Sequence, residues 1–225
     1  MDKVKLFLVS KVSLRKLKEL KKKTMTKQEQ IALDKMAQND HEMYALLKQR
    51  YSPRVFSEKE VSEKDMHRLF EAVRWAPSSN NWQPWRFIFA HKGSDAYRKI
   101  NECLSEFNQS WATNAPVLIL TAYKENNPDG EENFHALHDL GLSLSNMAVQ
   151  AEYMGIALHH MAGVDWKKAQ KEFNVPEGYH VNTALAVGYY GGDLDNLPKD
   201  LREQETQKRE RISQEEFAFK EEWKQ

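Results

Sequence analysis

One cysteine, Cys103, is all the chain contains, which rules out an internal disulfide and any zinc site built on thiolates, and fits a reducing, cytoplasmic setting. Its neighbours Glu102 and Leu104 offer no cation or base to lower its pKa, so the thiol reads as a semi-buried structural group. Net charge is missing as well: 33 Lys+Arg balance 33 Asp+Glu, and no global field favours nucleic acid or an acidic polymer as partner. Leu6–Val9 is too short for the apolar region of a signal peptide. No run approaches the roughly 20 apolar residues of a membrane helix, so stable membrane insertion is not expected. Two glycine-rich phosphate devices are also lacking. With no G-x-G-x-x-G after a strand and no G-x-x-x-x-G-K-[ST], neither a dinucleotide nor a triphosphate is bound by those routes.

What remains is a chain of 225 residues with 40% hydrophobic side chains, enough for one domain with a sizeable core. Charge is uneven along it. Residues 1–24 hold nine Lys/Arg against Asp2 and Glu19, a formal +7 that leaves −7 for the rest. Residues 1–41 therefore read as a basic N-terminal helical arm or extension, and residues 42–225 as the domain. The arm is a solvated segment, sequence upstream of a start at Met25, or a helix lying on a membrane surface.

Apolar spacing predicts a helix over 26–49 that ends near Arg50–Arg54, and a second that starts at Ser62, carries Met66, Leu69, Phe70 and Val73 on one stripe, and stops before Pro77. Trp85–Ala90, Val117–Ala122 and Ala184–Tyr190 read as strands buried on both faces. Residues 136–155 have helical spacing with no charge from Leu140 through Gln150. Such a helix is surrounded by protein, either its own or a second subunit's. Helices and strands alternate without a βαβ repeat, which gives an α+β or mixed α/β class.

Arg50-x-Ser52-x-Arg54 gathers two guanidinium groups and a hydroxyl on a turn limited by Pro53, a donor set suited to a phosphate monoester. The same spacing also describes a solvated loop. Lys208-Arg209-Glu210-Arg211 is a second basic cluster, equally readable as a charged tail. His135 with His138, and His159 with His160, lack a carboxylate that completes a metalloenzyme signature and read as structural or surface histidines. Residues 74–90, RWAPSSNNWQPWRFIFA, end a helix abruptly, expose small hydrogen-bonding groups and back them with indole rings, a combination that suits a planar ligand.

Together these segments resemble the FMN-dependent nitroreductase family. The resemblance rests on Arg50-x-Ser52-x-Arg54, on Pro77-Ser78-Ser79-x-Asn81-x-Gln83-Pro84-Trp85, on the uncharged helix, on His160-Met161-Ala162-Gly163, and on Arg209-x-Arg211; it covers roughly residues 42–219. It implies an α+β fold, a mixed but mainly antiparallel sheet flanked by helices, in an intertwined homodimer with FMN at the subunit interface. NADH or NADPH would be the reductant and a small planar molecule such as a nitroaromatic or quinone the acceptor, in ping-pong hydride transfer through flavin N5. A flavin-binding protein that kept the fold without turnover is the alternative. The implied contacts are Arg50, Tyr51, Ser52 and Arg54 at the phosphate and pyrimidine edge, with Arg209 and Arg211 completing the anion site. Pro77, Ser78, Ser79 and Asn81 would come from the partner, Asn108 would reach the pyrimidine edge, and His160, Met161, Ala162 and Gly163 would cover the ring near N5. No catalytic dyad is implied, since the flavin carries the chemistry. Trp111, where some relatives have lysine, is expected to form an aromatic wall over the substrate face.

Overall fold

The computed structural model describes residues 26–223; the basic stretch of the expected arm, residues 1–24, lies outside them, while residues 26–41 of that arm are described. Eight α-helices and four strands follow one another from Thr26. Helix α1 (Lys27–Asp34) is opened by a capping box in which Thr26 and Glu29 satisfy each other's backbone N–H groups. Helix α2 is only Ala45–Gln49. The single helix expected over 26–49 is thus broken, because Gln38–His41 supplies no apolar side chain to bury and the Asn39 amide closes a local turn on His41 O at 2.6 Å. Helix α3 (Glu63–Arg74) follows expectation: Ser62 accepts the Asp65 N–H and Met66, Leu69 and Val73 are buried. That cap contributes about 1 kcal/mol.

Strands β1 (Trp85–His91), β2 (Val117–Lys124), β3 (Ile156–Met161) and β4 (Tyr179–Tyr189) form a sheet in the order β1-β2-β4-β3, antiparallel at every pairing. Between β1 and β2 lie α4 (Asp95–Glu102) and α5 (Glu106–Ala112); α6 (Ala136–Tyr153) precedes β3, α7 (Trp166–Glu172) precedes β4, and α8 (Lys199–Thr206) follows it. Sequence spacing located three of the strands but not β3, an edge strand of six residues that pairs with β4 alone.

Alternation along β2 divides the core in two. Leu118 and Leu120 face a cluster with Ile100, Trp111, Val181 and Ala186. Val117 and Ile119 face the other, with Met66, Leu69, Leu140 and Met147 from α3 and α6. Beyond β4, Phe56 bridges Tyr190 and Ser57 donates to Tyr189 O at 3.0 Å, so the Arg50–Arg54 segment is laid along the end of the sheet. Gly188 makes that possible, since a Cβ there would stand 2.7 Å from the Phe56 ring. Helix α1 joins the same body through Ile31, which packs into the first cluster, and through Lys35 Nζ, which donates to Gln204 O at 3.1 Å.

Candidate functional site

Segments far apart in sequence converge at the C-terminal end of α6. Arg50, Arg209 and Arg211 line a cavity of about 460 Å³ walled also by Gln38, Asn39, Met43 and Ile212. Among the described residues no carboxylate forms an ion pair with any of the three. The three arginines outnumber Asp40, the one carboxylate in the cavity lining, and this excess of positive charge favours an anion there. Arg50 Nη1 donates to Ser52 Oγ at 3.2 Å. Glu152, half-buried near the end of α6, accepts the Tyr190 hydroxyl at 2.6 Å. Burial raises the Glu152 pKa, opposed by that hydrogen bond and by Arg50 and Arg209.

Strand β3 brings His160, Met161, Ala162 and Gly163 to the same end. Although His160 has one open side, loss of hydration among its neighbours and then the charge of Arg50 lower its pKa to about 4, so the ring is neutral at pH 7. Gly163 O accepts the Ser105 N–H at 2.9 Å and the buried Asn108 amide at 3.3 Å. A Cβ at Gly163 would lie 2.6 Å from Ser105 Oγ, so only glycine permits the loop to be drawn against α5. The N–H groups of Ala162 and Gly163 donate to no group among the described residues. They remain available to a ligand acceptor.

The second half of the expected site lies elsewhere. Ser78, Ser79 and Asn81 occupy a turn in which Asn80, Asn81 and Gln83 all have positive φ, a strained backbone of the kind that functional loops hold. Two bonds fix it: Gln83 N donates to Ser78 Oγ at 3.1 Å and Ser79 N to Asp139 Oδ2 at 3.0 Å. Pro77 is exposed beside it. Asp139, fully buried near the start of α6, was not singled out by sequence; its proximity to Ser79 is a contact across 60 residues. From Asp139 to Glu152 the helix rises roughly 20 Å at ~1.5 Å per residue. One chain therefore carries two half-sites at opposite ends of α6, and they do not meet within it.

Three expected contacts are placed differently. Trp111 is 0% exposed, its ring 4.3 Å from that of His159 and 6.0 Å from the Arg54 guanidinium. It is no wall over a substrate, because Asn108, Trp111 and Ala112 share the buried face of α5 while Phe107 takes the outer one. Tyr51 is also buried, its ring 4.9 Å from Tyr190. Arg54 turns to Glu205 of α8, itself 2% exposed, which accepts the Arg54 backbone N–H at 3.2 Å and lies 3.7 Å from Nη1. Desolvation raises the Glu205 pKa, against the pull of the Arg54 N–H, Lys35 and the Arg54 charge. Phe134, five residues before Asp139 in the chain, is an aromatic side chain 83% exposed.

The model of the Nitroreductase family matches residues 47–109 and 98–189. The chain belongs to the Nitroreductase family. Matched residues include Arg50, the 77–81 turn, Asn108 and the 160–163 loop; Arg209 and Arg211 lie beyond them. A Stutzerimonas stutzeri protein named "Putative NADH dehydrogenase/NAD(P)H nitroreductase" is 26% identical over 159 residues, 62% of this chain and 80% of that one. An Archaeoglobus fulgidus protein of the same name is 25% identical over 157 residues, 68% and 88% of the two chains. Among solved structures, one described as an oxidoreductase containing FMN superposes with a TM-score of 0.77 at 31% identity, covering 83% of this chain and 96% of that one. A nitroreductase family protein from Clostridium difficile 630, 22% identical, shares the fold at a TM-score of 0.61, with coverages of 79% and 97%.

Proposed function

We propose that this family member is an FMN-dependent oxidoreductase that takes reducing equivalents from NADH or NADPH and passes them to a planar acceptor, a nitroaromatic, a quinone or a similar molecule. The observation that carries the reading is the convergence of Arg50 with Arg209 and Arg211, 159 residues further on, around one cavity in whose lining they outnumber the single carboxylate, Asp40. Membership of the family and the likeness to an FMN-containing oxidoreductase support it.

The residues present fit the cofactor. Arg50, Arg211 and Ser52 would hold the phosphate, and the Ala162 and Gly163 N–H groups would face the ring system, kept in place by Asn108 and Ser105. When bound, FMN supplies hydride chemistry at N5, alternating between a reductant and an acceptor on one face. The protein's part is to position, to neutralise the phosphate and to leave that face open. Neutral His160 adds no cation beyond the arginines, and half-buried Arg54, paired with Glu205, acts from behind the segment rather than as a free anion ligand.

Completion of the site requires a second copy. Ser78, Ser79 and Asn81 lie about 20 Å along α6 from the arginines, by helix rise, and would serve the partner's cofactor in a homodimer. Exposed Leu137 and Tyr153 on α6, and exposed Ile212, Phe217 and Trp223 in the C-terminal segment, provide apolar surface for that association. Exposed Phe134 would offer planar acceptors a ring to stack on, at about 0.5–1.5 kcal/mol beyond burial.

The test is anaerobic stopped-flow on the FMN-loaded protein, following bleaching by NADH or NADPH and then recovery by quinone and nitroaromatic acceptors. Both half-reactions should proceed separately. Flavin that neither nucleotide reduces would leave a flavin-binding protein without turnover.

A further inference from the structure

The family resemblance sets Arg209 beside Arg211 as an anion ligand, but its guanidinium is engaged on the protein side of the cavity. Nε donates to Lys35 O at 2.5 Å, Nη1 to Arg50 O at 2.6 Å and Nη2 to Lys48 O at 2.8 Å. Those carbonyls belong to helix ends. Lys35 is the C-terminal cap of α1, Lys48 lies in the last turn of α2, and Arg50 caps α2. Carbonyls at helix C-termini have no partner within the helix and favour a nearby cation. A helix of five residues such as α2 has little stability of its own. One guanidinium therefore joins the ends of two helices and fixes the backbone of the residue whose side chain faces the cavity.

We propose that Arg209 is a positioning residue for the anion site, acting through the Arg50 backbone rather than on the anion, and that Lys35–Gln49, upstream of most of the family match, is thereby built into that site. The inference rests on the reading of the cavity as the FMN phosphate pocket. A planar fork meets three carbonyls in one plane, whereas a lysine ammonium presents a single point and cannot span them. Charge is retained in R209K while the latch is lost, which separates the two roles.

FMN affinity should be measured by fluorescence titration for wild type, R209K, R50A and R50A/R209K, and hydrogen exchange for the apo forms. R209K is expected to weaken FMN about tenfold, the scale of one charge-assisted hydrogen bond. The double variant should be within about twofold of R50A, since coupled residues do not add. Amides in 36–50 should exchange faster in R209K while those of β4 do not change; should R209K fail to fold, the exchange of 36–50 in apo R209Q tests the latch, since exchange without FMN does not depend on the charge at the anion. Wild-type affinity in R209K, losses that multiply in the double variant, or unchanged exchange in 36–50 would each overturn the proposal. If the wild type takes up no FMN, the phosphate reading fails, and the exchange data alone decide for or against the latch.

Discussion

Replacement of His159 by glutamine should flatten the acid limb of the stability curve. His159 lies on β3 behind the Arg50–Arg54 segment, its ring against Trp111, and Nδ1 donates to Pro53 O at 2.9 Å. A carbonyl can only accept, so Nδ1 carries the proton and the neutral ring leaves Nε2 bare. Burial lowers its pKa from 6.5 to about 4, opposed by the Pro53 bond and assisted by the charges of Arg54 and His160. Between those values the unfolded chain binds the proton that the folded one refuses. Stability contributed by the neutral ring is therefore complete above pH 6.5 and falls as pH drops toward 4. With 1.36 kcal/mol per unit, the loss attributable to this group is about 2 kcal/mol by pH 5 and about 3 kcal/mol once both states are protonated. Urea unfolding of wild type and H159Q from pH 7.5 to 5 measures it as the difference of two curves, which removes the carboxylates common to both. An NMR titration of the imidazole gives the folded pKa directly. Parallel curves, or a ring that titrates near 6.5, would refute the argument and with it the packing of half-buried His159 against Trp111.

Three further outcomes follow from packing. Gly163→Ala sets a Cβ 2.6 Å from Ser105 Oγ and 2.9 Å from Asn108 Nδ2; overpacking should cost about 1–3 kcal/mol in urea melts and weaken FMN binding as the loop is pushed off α5. Leu144→Asp puts a charge on the α6 face where Leu144 packs against the second core cluster; the penalty of several kcal/mol should abolish dimer and flavin together, read by light scattering and absorbance. A chain beginning at Met25 should keep its melting temperature and FMN affinity, because the α1 cap starts at Thr26; loss of flavin on that truncation would show that the basic arm belongs to the site.

Local signals carried much of the fold. Ser62 and the stripe through Val73 fixed α3, apolar runs located β1, β2 and most of β4, and the uncharged stretch from Leu140 marked α6. Strand β3 was hidden because its end, His159-His160-Met161, lacks the apolar run of its neighbours, and its pairing with β4 spans residues that only the fold brings together. Among candidate site residues, spacing and turn chemistry singled out Arg50, Ser52 and the 77–81 turn; the fold sets Arg50 on the cavity and gives the turn its positive-φ backbone, while their contacts with a cofactor belong to the proposal. Trp111 was misplaced for want of the α5 boundaries: once Asn108, Trp111 and Ala112 are set on one helical face, its burial follows. Asp139, Glu205 and the carbonyl partners of Arg209 had no local signal, since each depends on contacts 60 to 174 residues apart.

The central claim, that this chain holds FMN by its phosphate between Arg50 and Arg211, is tested most directly by comparing FMN with riboflavin, which lacks only the phosphate. With charge-assisted bonds to a phosphate at about 1.5–3 kcal/mol each, FMN should bind the wild type at least tenfold more tightly than riboflavin, and Arg50→Ala or Arg211→Ala should reduce that preference by roughly ten- to hundredfold. Equal affinity for the two flavins in the wild type, or a preference that survives both substitutions, would contradict the account.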